Sequence, residues 1–87
     1  MILTEIDHVA IAVRDLDAAI AYYERAFGAK VHHREVVDSD GVDEALIKVG
    51  DSYIQLTAAT REDSPIAKFI ERRGEGLHHV GYRVDDC

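Results

Sequence analysis

The sequence predicts an α+β fold in which two helices accompany one β-sheet. Several runs of about eight residues are rich in β-branched and apolar residues and alternate in polarity, as half-buried strands do. Two further stretches, one after the first strand and one before the last, carry apolar residues at helical spacing. With 87 residues, the chain is long enough for one domain at most.

The first half of the chain predicts the element order β-α-β-β-β. A strand covers residues 4–13, and Asp15 caps a helix over about 16–27. Gly28 stands where a left-handed C-terminal cap is expected. The apolar stripe of this helix consists of Leu16, Ala19, Ile20, Tyr23 and Phe27. Further strands are predicted over residues 30–37, 42–49 and 52–58.

The second half predicts a linking helix and one more strand. Ser64 supplies a capping hydroxyl and is followed by proline, so a helix begins there and runs to about Arg73. The final strand, over residues 77–84, contains "HHVGYRV", which echoes "HVAIAV" in the first strand. We therefore expect three parts. They are a first module (1–58), a linking loop and helix (59–76) and the first strand of an incomplete second module (77–87).

Composition and charge narrow the class of protein. The hydrophobic fraction of 47% and charged fraction of 31% are ordinary for a globular protein. A net charge of −7 argues against binding to nucleic acid or to an anionic membrane. The single cysteine, Cys87, excludes an internal disulfide. Neither a signal peptide nor a membrane-spanning run is visible, so we expect a cytoplasmic location.

Polar residues recur on one face of the predicted strands. His8 shares a face with Ala10 and Ala12, because side chains alternate along a strand. The same alternation places Gln55, His79 and Glu44 on the polar faces of their own strands. We expect the bulky faces to pack on the helices. The other face would then hold these four side chains with small neighbours, which leave room for a ligand.

Two imidazoles and an amide oxygen suit a divalent cation that keeps open positions for substrate, such as Co²⁺, Mn²⁺, Zn²⁺ or Mg²⁺. Such a cation would stabilise a developing enolate or oxyanion. The residues alone leave ordinary roles open, since Glu44 suits the surface of an edge strand. Neighbouring histidines should point to opposite faces. On that basis only one of His78 and His79 can join the site, and His32 and His33 are solvated.

Three segments resemble the methylmalonyl-CoA epimerases of the vicinal oxygen chelate superfamily. They are "IDHVAIAVRDLDAAIAYYERAFGAKV", "DGVDEALIKVGDSYIQL" and "REDSPIAKFIERRGEGLHHVGYRVDD". The resemblance implies two βαβββ modules around a divalent metal, of which this chain would hold the first module, the linking helix and one further strand. It also implies His8, Gln55 and His79 as metal ligands and Glu44 as the catalytic acid–base. The substrate would be methylmalonyl-CoA, with (R) and (S) forms interconverted at C2.

The resemblance also implies groups that the chain lacks. Relatives have a glutamate in the final strand of the second module, as fourth ligand and second base, and Asp85 and Asp86 are in the wrong place to replace it. Three explanations stay open: a fragment, a chain that completes its site by pairing, or a relic that binds without turnover. An exposed sheet edge favours a homodimer or another pairing that supplies the missing strands.

Two alternative functions remain. One is a glyoxalase-like metal lyase or a dioxygenase relative, although those families more often carry glutamate where Gln55 stands. The other is a non-catalytic, dimeric module that binds a metal or a small molecule.

Overall fold

The computed structural model describes residues 2–85, so Met1, Asp86 and Cys87 lie outside the described part. The elements are β1 (Leu3–Ala12), α1 (Leu16–Phe27), β2 (Val31–Val37), β3 (Val42–Val49), β4 (Ser52–Ala59), α2 (Pro65–Arg73) and β5 (Gly76–Val84). The α+β class and the predicted element order are confirmed. The division into modules at residues 58 and 76 stays a prediction.

All five of these strands form one mixed sheet in the order β2-β3-β4-β1-β5. β1 pairs in parallel with β4 and antiparallel with β5. The β2–β3 and β3–β4 pairs are antiparallel. The first and last strands along the chain are therefore neighbours in the sheet, with β5 at its edge.

Helix α1 packs on the bulky face of the sheet. Asp15 caps it by accepting a hydrogen bond from the backbone N–H of Ala18 at 3.0 Å, and Gly28 ends it with φ of 65°. The core under it consists of Val13, Leu16, Ala45, Ile47, Leu56 and Ala58. Phe27 is 68% exposed, so the buried part of the apolar stripe ends at Tyr23.

Helix α2 packs on the opposite face, which corrects the expectation that both helices cover the bulky face. Ile66 of α2 is buried against Ala12 and Val42, which lie on the His8 and Glu44 side of their strands. The N-cap residue Ser64 is fully buried and accepts from the N–H of Ala67 at 3.1 Å. As a result, α2 forms a wall beside the polar residues of the sheet. Within residues 2–85, neither helix is long and apolar enough to cross a bilayer.

Three irregularities in strand pairing determine which side chains reach the polar face. Asp7 is the extra residue of β1 between the pairs Ile6–Tyr82 and His8–Gly81. His78 is the extra residue of β5, and His32 is the extra residue of β2. At a β-bulge the simple alternation of side chains breaks down, so these residues can turn toward the side of their neighbours.

Candidate functional site

The candidate site is built on three adjacent strands around Ala10. Ala10 is opposite Gln55 of β4 and also opposite His79 of β5. His8 precedes Ala10 by two residues and therefore shares its face. Because the Ala10 side chain is small and 1% exposed, the longer side chains around it can meet above the sheet.

The two histidine rings face each other through their Nε2 atoms, which are 3.1 Å apart. A histidine nitrogen binds a metal at about 2.0–2.1 Å, so two ligands of one ion are separated by roughly 2.8–3.4 Å at right-angled to tetrahedral geometry. The observed separation lies in this range. The pair is therefore compatible with a shared cation.

Gly81 provides the space for the ring of His8. It lies opposite His8 in the β1–β5 pairing. A Cβ atom built on Gly81 would stand 2.7 Å from Nδ1 of His8 and closer still to Cε1. Any larger residue at this position would displace the ring.

Asp7 orients His8. Nδ1 of His8 lies 2.8 Å from Oδ2 of Asp7 and donates its proton there, which leaves the lone pair on Nε2 available to a cation. Arg83 holds the other oxygen, with Nε donating to Oδ1 at 2.7 Å. Hydrogen bonds from His8 and then Arg83 lower the pKa of the Asp7 carboxyl, so it remains charged.

His78 joins the site, contrary to the prediction that only one residue of the His78–His79 pair could do so. Its Nδ1 lies 2.8 Å from Nδ1 of His79. The prediction was wrong because the β5 bulge at His78 turns its side chain toward that of His79. Burial lowers the pKa of the His79 imidazole, and the nearby His78 and His8 lower it further, so the neutral ring is favoured.

Gln55 lies opposite Ala10, on the face that carries the histidine pair, and bonds Glu44. Its Nε2 donates to Oε2 of Glu44 at 2.7 Å and has a longer contact of 3.3 Å to Oγ1 of the buried Thr57. The amide nitrogen is thereby committed to Glu44, which leaves the amide oxygen as the atom of Gln55 suited to a cation.

Glu44 is not the edge-strand carboxylate of the alternative interpretation, since β3 lies inside the sheet between β2 and β4. Burial raises the pKa of its carboxyl, and the charge of Glu35 on the neighbouring strand raises it further. The hydrogen bond from Gln55 acts in the opposite direction. A carboxylate with a raised pKa is a stronger base, which suits a group that must remove a weakly acidic proton.

Two cavities meet at Gln55. Glu44 and His79 line one of about 190 Å³, which Ile66 of α2 closes on one side. His8 lines the other, of about 410 Å³. The rest of its lining consists of Asp7, His32, His33, Leu46, Tyr53 and Gln55. His32 and His33 are exposed, as predicted, yet both border this cavity because of the β2 bulge.

The donor set fits a cation with open coordination positions. Across residues 2–85, no three His, Cys, Asp or Glu side chains are placed to hold one ion. The predicted set instead combines two imidazole nitrogens with an amide oxygen. Such a set provides three protein ligands and leaves further positions to substrate or to another chain.

Comparison with known proteins places the chain in a family. Residues 7–87 match the Glyoxalase/Bleomycin resistance protein/Dioxygenase superfamily. The chain belongs to this superfamily. Its relatives include the human mitochondrial methylmalonyl-CoA epimerase, which is 35% identical over 85 residues. The ethylmalonyl-CoA/methylmalonyl-CoA epimerase of Cereibacter sphaeroides is 40% identical over 82 residues.

The solved structures agree with this assignment. A methylmalonyl-CoA epimerase in complex with methylmalonyl-CoA and NH4+ superposes with a TM-score of 0.92 at 43% identity, over 97% of this superfamily member. The chain covers 62% of that structure. The alignment with the human relative covers 97% of this chain and 48% of that protein. The alignment with the bacterial relative covers 93% of this chain and 61% of that protein. The chain thus spans about half to three-fifths of the length of these epimerases.

Proposed function

We propose that this superfamily member carries the first part of a methylmalonyl-CoA epimerase site, which moves the proton at C2 between the (R) and (S) forms. One observation carries the proposal. The paired Nε2 atoms of His8 and His79, 3.1 Å apart, share a face with Gln55, which holds the base Glu44 at 2.7 Å. The candidate cation-binding histidines and a partly buried base therefore lie on one face of the sheet, with Gln55 bonded to the base.

His8, Gln55 and His79 would hold the cation, through Nε2, the amide oxygen and Nε2 respectively. When bound, a divalent ion such as Co²⁺, Mn²⁺, Zn²⁺ or Mg²⁺ supplies Lewis-acid stabilisation of the negative charge that develops on the enolate oxygen. This ligand set is the one that the resemblance implies.

Glu44 is proposed to take and return the C2 proton on one side of the substrate. Its raised pKa narrows the gap between its basicity and that of the carbanion it must generate. The hydrogen bond from Gln55 restrains the carboxylate and leaves Oε1 to face the substrate proton. The 190 Å³ cavity that Glu44 shares with His79 would receive the reacting carbon.

The other half of the reaction requires groups beyond these. Inversion at C2 needs a proton donor on the opposite side of the enolate, and no residue between 2 and 85 is assigned to that role. We propose that a homodimer, or another pairing that supplies further strands, completes the site. Among residues 2–85, β5 has no strand partner on its outer edge, which makes this edge the natural place for such pairing. A cytoplasmic location remains part of the proposal.

The test is exchange of the C2 hydrogen. Metal-loaded protein is incubated with methylmalonyl-CoA in D₂O, and loss of the C2 proton signal is followed by NMR. We expect exchange with the wild-type protein and a loss of at least about 100-fold in Glu44→Gln, which cannot accept the proton. Exchange on one side of the enolate needs only one base, so it can be observed even where full epimerisation is not.

Circular dichroism must show that the protein is folded, and equilibrium dialysis must show that it holds metal. Absence of exchange under these conditions would contradict the epimerase proposal. It would favour the non-catalytic metal-binding module. A lyase or dioxygenase relative has no specific structural observation in its favour.

A further inference from the structure

Both candidate metal-ligating histidines contact the extra residue of a β-bulge. Asp7 is the extra residue of β1 and bonds Nδ1 of His8 at 2.8 Å. His78 is the extra residue of β5 and bonds Nδ1 of His79 at 2.8 Å. Each ring therefore presents Nε2 to the other ring and has its remaining nitrogen anchored by a residue that irregular pairing turned inward.

We infer that His78 is a positioning residue that orients the His79 ring and accepts its Nδ1 proton, as Asp7 does for His8. The inference rests on the proposed metal site. A histidine that binds a metal through one nitrogen carries its proton on the other nitrogen, and that proton needs an acceptor to fix the ring. Among residues 2–85, the group recorded within hydrogen-bond distance of Nδ1 of His79 is the imidazole of His78 rather than a carboxylate of the kind that serves His8.

Without a cation, the neutral rings can form one continuous chain of hydrogen bonds. Nδ1 of His8 donates to Asp7, Nε2 of His79 donates to Nε2 of His8, and Nδ1 of His78 donates to Nδ1 of His79. In this series of hydrogen bonds, each donor meets one lone pair, and each ring carries one proton.

If both Nε2 atoms held a cation, His79 and His78 would each have to change tautomer. Nε2 of His79 would need its lone pair, so the His79 proton would sit on Nδ1 and donate a hydrogen bond to Nδ1 of His78. His78 then carries its own proton on Nε2. Proton number is unchanged, and both His78 and His79 change tautomer while His8 keeps its own.

Helix α2 keeps His78 in place for this role. The ring of Phe69 packs edge-on against the ring of His78, with centroids 4.8 Å apart and planes at 75°. His78 also borders the cavity that contains His79 and Ile66. The α2 wall therefore limits rotation of the ring that anchors the ligand.

Metal affinity of two His78 variants tests the inference. Co²⁺ binding is measured by competition with a chromophoric chelator in wild type, His78→Phe and His78→Gln. We expect about 10–100-fold weaker binding in His78→Phe, which keeps the packing against Phe69 but loses the acceptor. His78→Gln should recover much of the affinity, because its amide oxygen can accept the proton.

His32→Phe is the matched control. His32 is also the extra residue of a bulge and packs near an aromatic ring, Tyr53, at 5.6 Å. In the described part of the chain it forms no hydrogen bond to a candidate ligand. It borders the cavity beside His8 but bonds neither ligand, so His32→Phe should weaken Co²⁺ binding far less than His78→Phe does.

Imidazole ¹⁵N shifts in the wild-type protein give a second readout that no folding defect can imitate. Zn²⁺ should shift both His78 and His79 from one tautomer to the other, while His8 stays protonated on Nδ1. Normal metal binding with an unchanged His78 tautomer, or with full affinity in His78→Phe, would overturn the inference alone. Absence of metal binding in wild type would overturn the proposed metal site and this inference with it.

Discussion

At the scale of single residues, the site depends on what surrounds each polar group rather than on the group itself. Glu44 illustrates this. Its carboxyl is half-buried, faces the charge of Glu35 across the β2–β3 pair and accepts one hydrogen bond from Gln55. Burial and like charge outweigh the hydrogen bond, so ionised Glu44 is disfavoured in the folded chain. The raised pKa that makes Glu44 a good base therefore also reduces the free energy of unfolding.

Replacement of Glu44 by glutamine should raise the melting temperature at pH 8 by about 1–3 °C. A carboxyl whose pKa is higher in the folded than in the unfolded state stabilises the fold fully at pH values below the unfolded-state pKa. This stabilisation is lost as the pH rises through the folded-state pKa. Gln does not ionise and keeps that contribution. The difference should therefore vanish below about pH 4, where Glu44 is protonated in both states.

Thermal unfolding from pH 3.5 to 8 measures this effect. Glu24→Gln, an exposed change on α1, removes the same charge and serves as control. A melting temperature for Glu44→Gln that is equal to or below that of wild type at pH 8 would contradict the prediction.

At the scale of elements, the pairing of β1 with β5 assembles the ligands. It places Gly81 opposite His8 and His79 opposite Ala10, and two of its three irregularities bring Asp7 and His78 to their neighbouring rings. Each of these positions depends on register, since a shift by one residue would turn the polar side chains to the other face of the sheet.

Substitution of Gly81 by alanine should destabilise the fold by about 1–3 kcal/mol, because the added methyl group overlaps the His8 ring. In a His8→Ala background the same substitution should cost little, since the ring is gone. Urea unfolding of both single variants and the double variant gives the coupling between the two sites. If the losses in unfolding free energy of the two single variants simply add in the double variant, the His8 ring does not depend on the space at Gly81.

At the scale of the whole molecule, β5 forms an outer strand of the sheet within residues 2–85. β5 has a neighbour only on its β1 side within the described strands, and several apolar side chains near this edge are exposed. They are Leu3 (64%), Ile6 (45%), Leu77 (59%), Tyr82 (57%) and Val84 (40%). A free strand edge beside an apolar strip is typical of a surface that pairs with another chain.

Sedimentation equilibrium should detect a species of twice 9.7 kDa. Tyr82→Glu should raise its dissociation constant by at least about 10-fold, because it places a charge in the apolar strip. Tyr22→Glu, on the exposed side of α1, is the control, since Tyr22 is exposed to a similar extent at 53%. Equal dissociation constants for the two variants, or a wild-type protein that stays monomeric, would contradict pairing through β5.

Several site residues left no recognisable signal in the sequence. Asp7 and His78 are neighbours of the candidate ligands in the chain, and strict alternation assigns them to the other face. Only the inserted residue in each strand pair reverses that assignment. Arg83 and Gly81 are also ordinary strand residues until β5 lies beside β1. The placement of α2 on the polar face was likewise missed, since an amphipathic helix does not indicate which of two sheet faces it will cover.

Local patterns determined the elements, their order and the α+β class, because capping, turn formation and alternation act between residues close in the chain. Together with the segments shared with the epimerases, they also singled out His8, Glu44, Gln55 and His79. The tertiary structure decided which side chains meet. The 3.1 Å approach of two rings that are 71 positions apart depends on register and on bulges between distant strands, which no local pattern contains.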